Sequence, residues 1–300
     1  MTTTPLFDNL LLTLARWYYR RQRADARQVR RRAEVHRNPP LLSDDFSEDW
    51  FSPRDGRELP RDEGKWTIAF INGCGRVLPA PHGEAGDILI EDGLLKLRVR
   101  HDANFEKKSA KWRKERPAAE RYNNAYVVGL QGFMPTPRQA ILVECRMKTS
   151  AAFHGSTGIW VQEEKTFDPR SGIMVKPFRS FGFSYLGESS DAYLRGLAIE
   201  TVIGLSIQKK QIIEGVNVFD WHTYRMKWSW LDEETQQVEF AIDEREVGCL
   251  SVDAFGPAEI QLWADNYQIG KGLKIGYLNV PDVDETWYEG IRVAAVDMQP

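Results

Sequence analysis

The sequence is poor in cysteine. Its three, Cys74, Cys145 and Cys249, lie far apart among 300 residues with no C-x-x-C spacing. That excludes a zinc site built on thiolates and a disulfide-rich scaffold. Long apolar runs are missing too, with none approaching the roughly 18 residues of a membrane-spanning helix. Histidine is scarce, five in all, with no pair spaced to hold a metal and no Ser-His-Asp pattern. Charge of one sign is nearly balanced at a net −3, so nucleic acid is not expected as a partner. Aromatic residues are abundant, with ten Trp, ten Tyr and fourteen Phe. At 42% apolar and 28% charged, the composition is that of a globular domain with a sizeable core.

The charge is unevenly spread. Residues 1–37 hold nine Arg against Asp8, Asp25 and Glu34, a surplus of six, so an acidic body follows a basic arm. Leu10, Leu11, Leu14, Trp17 and Tyr18 recur at helical spacing, and Pro39-Pro40 stops the pattern. We read residues 1–40 as a basic amphipathic α-helical arm. The arm can pack on the acidic body, or dock through residues 1–37 on a membrane surface or protein partner. Its apolar half precedes its Arg-rich half, the reverse of a secretion signal. The expected location is cytoplasmic.

From residue 41 the period changes to two. Asp87 to Val99 alternates around the turn Glu91-Asp92-Gly93. Ile141 to Met147, Tyr224 to Trp228 and Val238 to Ile242 alternate as well. Short strands separated by Gly, Asp, Asn and Pro turns predict an all-β sandwich over residues 41–300, read as one domain. The charged stretch 103–121 is the exception, open to a short helix or an exposed loop.

Five landmarks then carry a resemblance. They are Leu42-Ser43-Asp44-Asp45-Phe46, with Trp50 or Trp66; Asp87 to Leu97; Ala140 to Lys148 followed by Gly155 to Val161; Asp220-Trp221-His222-Thr223-Tyr224 to Trp228 followed by Val238 to Val247; and Trp287 to Val293. In this order they resemble the concanavalin-A-like jelly rolls of the laminarinase and lichenase type, glycoside hydrolase family sixteen. The resemblance implies a β-sandwich with an oligosaccharide cleft and no required cofactor. It also implies a Ca²⁺ between the first and last strands, near Asp45 and Glu289. Their oxygens suit that ion, but two acids are too few to make a site.

The family's retaining hydrolases carry their nucleophile and acid/base on one strand reading E-x-D-x-x-E, two carboxylates about 5 Å apart, with a bulge that lets the last Glu join the face of the others. The matching strand here is Ser180 to Gly187. Ser180, Gly182 and Tyr185 stand at the three acid positions, so the pair is missing and ordinary hydrolysis is not expected. Other carboxylates near the groove, Glu188, Asp191 and Glu200, are the candidates for relocated catalytic acids. Glu200 interrupts an apolar strand, which costs free energy unless it is paired or faces a polar groove.

Sugar rings stack on aromatic faces and bond through hydroxyls. Strand parity places Trp160, Gln162 and Glu164 on one face and Gln261, Trp263 and Asp265 on another. Tyr185 and Tyr193 flank the loop between. These eight are the candidate ligand-binding residues, the alternative for the tryptophans being plain core. Three functions stay open. One is a carbohydrate-binding jelly roll without retaining-hydrolase activity. Another is an enzyme reusing the cleft, as a small-molecule cyclase or isomerase or as a hydrolase with relocated acids. The third is an interaction platform docked through the arm.

Overall fold

The computed structural model describes residues 26–34, 36, 38, 42–46, 66–72, 76–79, 88–101, 122–123, 125–129, 132–163, 179–187, 195–203, 206–270, 274–277 and 283–298. Among them is one helix, α1, over residues 26–34. The strands begin with Ser43–Asp44 (β1), Trp66–Asn72 (β2), Arg76–Pro79 (β3), Ile88–Glu91 (β4), Leu94–His101 (β5), Tyr122–Asn123 (β6) and Ala125–Gly129 (β7). There follow Gln139–Thr149 (β8), Ser156–Glu163 (β9), Arg179–Leu186 (β10), Gly196–Ile203 (β11), Ser206–Ile212 (β12) and His222–Trp230 (β13). The last are Thr235–Ile242 (β14), Arg245–Asp253 (β15), Ala258–Asp265 (β16), Tyr267–Gly270 (β17), Lys274–Tyr277 (β18) and Asp284–Asp297 (β19).

Two antiparallel sheets face each other. The back sheet runs β15-β14-β13-β8-β19-β5-β4, with β1 on β19 and β6 on β5. The front sheet runs β12-β11-β10-β9-β16-β7-β2-β3. Period-two alternation explains the back sheet. Ile141, Val143, Cys145 and Met147 on β8 point inward, as do Val238, Phe240 and Ile242 on β14. The outward residues form ion pairs, Arg225 with Glu144 and Lys227 with Glu239. Between the sheets Phe181 and Phe183 of β10 meet Trp228, Tyr224 and Phe240 edge-on, with ring centroids 5.1 to 5.3 Å apart. These aromatic contacts and the area they bury dominate the core.

The five landmarks fall on β1, on the β4–β5 hairpin, on β8 with β9, on β13 to β15, and on β19. The β4–β5 turn has Asp92 and Gly93 at positive φ. The β14–β15 turn has Asp243 and Glu244 at φ 49° and 69°, left-handed without a glycine. Replacing Glu244 with glycine should raise stability by about 0.5 to 1 kcal/mol, the relief of left-handed strain less the entropy cost of glycine. A higher urea midpoint at unchanged slope would show it.

Asp243 also ties this turn to β13. Its carboxylate lies 2.5 Å from His222 Nδ1 and accepts from Thr223 N at 2.9 Å. Burial pushes the Asp243 carboxyl up, but the His222 and Thr223 hydrogen bonds outweigh it and hold it below the ordinary value. A depressed carboxyl stabilises the fold above its unfolded-state pKa, and that stabilisation is lost as pH falls through the folded value. The stability gap between the protein and Asp243→Asn should be full above about pH 4 and shrink below it. A gap constant from pH 6 to pH 2.5 in chemical denaturation would contradict this.

The described part of the arm packs on the body. Ala26 and Ala33, two turns apart on α1, are buried. Arg27 pairs with Glu234 at 2.9 Å, and Arg30 donates to Asp232 O at 2.6 Å while its guanidinium lies 5.2 Å from the centre of the Trp230 ring. Asn38 exchanges two hydrogen bonds with the Met134 backbone, both 3.1 Å. The expectation of a longer arm extends to residues 1–25, which lie outside the described residues, as does all of 103–121. Among the described residues no helix is long and apolar enough to cross a membrane.

Candidate ligand site on the front sheet

The front sheet differs from the back in being shielded on both faces. Its inner face is the core. Its outer face is set by register. Gln261 on β16 lies opposite Trp160 on β9, which lies opposite Gly182 on β10, then Glu200 on β11 and Lys210 on β12. These five residues form one row across five strands. The next row towards β10's end holds Trp263, Gly158, Ser184, Ala198 and Ile212. The row on the other side includes Glu259, Gln162, Ser180 and Val202.

β10 pairs with β9 and β11 without a register shift. The sequence reading assumed a bulge that would bring position 185 onto the face of 180 and 182. There is none, so Ser180, Gly182 and Ser184 share the outer face. Tyr185 turns inward with Phe181 and Phe183, its ring 6.1 Å from Phe153, and burial pushes its phenol up. It is therefore not a wall of the outer face.

Two glycines make room for two indoles. A Cβ on Gly182 would stand 2.8 Å from Trp160 Cδ1, and one on Gly158 would stand 2.4 Å from Trp263 Cη2. The two rings lie 4.2 Å apart at 46°. Trp263 is held by its Nε1, which donates to Ser156 Oγ at 3.4 Å, and Ser156 in turn donates to the buried Asp265. Asp265 thus orients the ring's tether. Beneath, Tyr288 of the back sheet reaches across the core. Its hydroxyl lies 3.0 Å from Gly158 O and 3.2 Å from Trp263 O. Thr286 donates to Thr157 Oγ1, which donates to Trp263 O at 2.6 Å.

Around the indoles are buried polar atoms with no partner among the described residues: Gln162 Oε1, Gln261 Oε1, Ser180 Oγ and Ser184 Oγ. Leaving such atoms unpaired costs about 1 to 3 kcal/mol each. All four lie on the outer face. Glu200 Oε2 accepts from Lys210 Nζ at 3.3 Å, both side chains being at most 5% exposed.

Of the sequence candidates, the structure gathers Trp160, Gln162, Gln261, Trp263 and Glu200 on this face, with Asp265 at its end. Glu164, Tyr193, Glu188 and Asp191 lie outside the described residues. Sequence reasoning missed Ser156, Ser184, Lys210, Gly158 and Tyr288. Ser184 was available from parity alone, whereas Lys210 and Tyr288 needed the register. Asp45 lies beside β1 and Glu289 on β19. Glu289 is ion-paired with Arg146, and among the described residues no three His, Cys, Asp or Glu side chains gather to hold a metal.

The sequence matches no protein-family model and no curated protein. Its fold does match solved structures. A prokaryotic β-1,3-1,4-glucanase (lichenase) from a mouse hindgut metagenome aligns over 86% of this chain and 98% of its own, at 14% identity and a TM-score of 0.52. The β-glucanase of Bacillus licheniformis aligns over 86% and 99%, at 12% identity and 0.52. An endo-1,3-β-glucanase from Streptomyces sioyaensis aligns over 88% and 100%, at 13% identity and 0.52. Together with the two sheets and their landmarks, these matches give the chain a concanavalin-A-like jelly-roll fold resembling that of the family-sixteen glucanases.

Proposed function

We infer that the outer face of the front sheet binds an oligosaccharide without hydrolysing it. The observation that carries this reading is the combination on one face of the tilted Trp160–Trp263 pair with four buried polar atoms that have no partner among the described residues. Rings supply the apolar platform for a sugar face, and the amide and hydroxyl oxygens take its hydroxyls. The glucanase likeness supports the class of ligand by analogy of fold.

The non-hydrolytic part of this reading is supported by β10. Its outer positions are Ser180, Gly182 and Ser184, which supply neither a nucleophile nor an acid. The carboxylates on the described outer face are Glu200, Glu259 and Asp265. Glu200 is three strands from the other two, about 14 Å at the usual strand spacing, far beyond the separation a retaining pair needs.

Titration calorimetry with β-1,3-, β-1,3-1,4- and galactan oligosaccharides tests the first part, and release of new reducing ends tests the second. Binding without release is expected. Turnover would overturn the reading and turn attention to relocated acids such as Glu188 and Asp191. No binding to any of the set would remove carbohydrate from consideration.

A further inference from the structure

The Glu200–Lys210 pair is unlike the other ion pairs described. Arg225–Glu144 and Lys227–Glu239 sit on the solvated back face with side chains 31 to 46% exposed. Glu200 and Lys210 are at most 5% exposed, on a face whose other described side chains in the same row are neutral. Burying two charges is expensive, and their mutual attraction offsets the cost only when further hydrogen bonds fill the remaining donors and lone pairs. Here they do not. Among the described residues each group makes one polar contact, to the other. An ammonium has three donors and a carboxylate about four acceptor sites. Two N–H groups and most of the carboxylate are left over. A purely structural pair would be better replaced by two apolar side chains, because such replacements are commonly neutral or stabilising.

The position supplies the reason to keep it. Glu200 and Lys210 continue the row of Trp160, and the residue between Trp160 and Glu200 is Gly182, which has no side chain. Ser184 and Ser180 flank it one step along β10. A ring stacked on Trp160 would lay its edge towards the pair.

We propose that Glu200 and Lys210 form the specificity element of this face, taking two adjacent free hydroxyls of a sugar ring, one donating to the Glu200 carboxylate and its neighbour accepting from Lys210 Nζ. The inference rests on the outer face being a carbohydrate site. It selects a neutral, unsubstituted ring. O-methylation removes the donor Glu200 needs and leaves a buried charge unfilled, and a carboxylated ring meets Glu200 as a like charge.

The test uses the full chain and three probes: unmodified β-1,3-gluco-oligosaccharide, its O-methylated form, and a uronic acid oligosaccharide. The parent should bind the first at least about 30-fold more tightly than the other two. The double substitution Glu200→Leu with Lys210→Met should keep or raise the melting temperature and lose that preference, with affinity for the unmodified probe down about 30-fold. Glu200→Gln alone, close in shape, should lose about tenfold and carries the same test should the double substitution not fold. A folded double variant that binds the unmodified probe as tightly as the parent overturns the role of the pair and leaves the carbohydrate reading standing. A parent that binds none of the probes overturns both.

Discussion

Replacing Gly182 with alanine is expected to cost the fold about 3 kcal/mol and to disable the outer face at the same time. The added Cβ would stand 2.1 Å from Ile159 O, 2.8 Å from Trp160 Cδ1 and 2.9 Å from Trp160 Cα. Two of these are backbone atoms of the neighbouring strand and cannot rotate away, so β9 must move or the ladder must open. Overpacking of this kind costs about 1 to 3 kcal/mol and sometimes more. Because Trp160 Cδ1 belongs to the ring on the outer face, a shift of β9 displaces that ring as well. Ser184→Ala is the matched control on the same strand and face. Its hydroxyl is buried without a partner among the described residues, so its removal should leave stability unchanged or higher, and lower only ligand affinity. Urea denaturation of both substitutions decides the matter. A Gly182→Ala protein as stable as the parent would mean that the strand spacing, and not Trp160, is free to adjust. The same contact bars an acid from this position: aspartate carries the Cβ that alanine does.

Replacing Trp160 with alanine should weaken oligosaccharide binding by about 2 to 3 kcal/mol, roughly 30- to 150-fold, from the loss of one large apolar platform. The ring is half-buried and leans on Trp263 at 4.2 Å, so some stability is lost with it. Trp160→Phe separates the two effects. It keeps an aromatic face and should keep most of the affinity. Trp263→Phe makes a different cut, since it leaves a ring but removes the Nε1 that Ser156 accepts; it should loosen the face and bind with intermediate affinity. Tryptophan fluorescence during titration reports the ring contact directly. Equal binding by the parent and by Trp160→Ala would place the sugar, if it binds, away from the indoles.

The back sheet was legible in the sequence because one of its faces is wet. β8, β13 and β14 alternate cleanly, and the hairpin turns announce themselves at Asp92-Gly93 and Asp243-Glu244. The front sheet was harder to read. Its central strands are buried on both faces, so Leu197 to Ile203 reads as a nearly continuous apolar run in which only Glu200 betrays a polar side. The sequence identified Glu200 as a residue that needs a partner or a groove. It did not reveal Lys210, because the partner is fixed by the pairing of β11 with β12 and not by spacing along the chain. Tyr185 shows the same limit from the other direction. An assumed bulge reversed its parity, since a one-residue slip exchanges the two faces of a strand.

The sequence by itself determined the all-β class, the order of the landmark strands, the basic character of the arm and the lack of an acid pair on β10. These depend on residue type and on period, which are local. Tertiary structure alone decided which polar residues share a face, that Trp160 and Trp263 lie over two glycines of neighbouring strands, and that Arg27 and Arg30 of the arm settle on the 231–234 turn. Each of these joins positions far apart in the chain, and their meeting is set by strand register and by the packing of one sheet on the other, neither of which is written in any single segment.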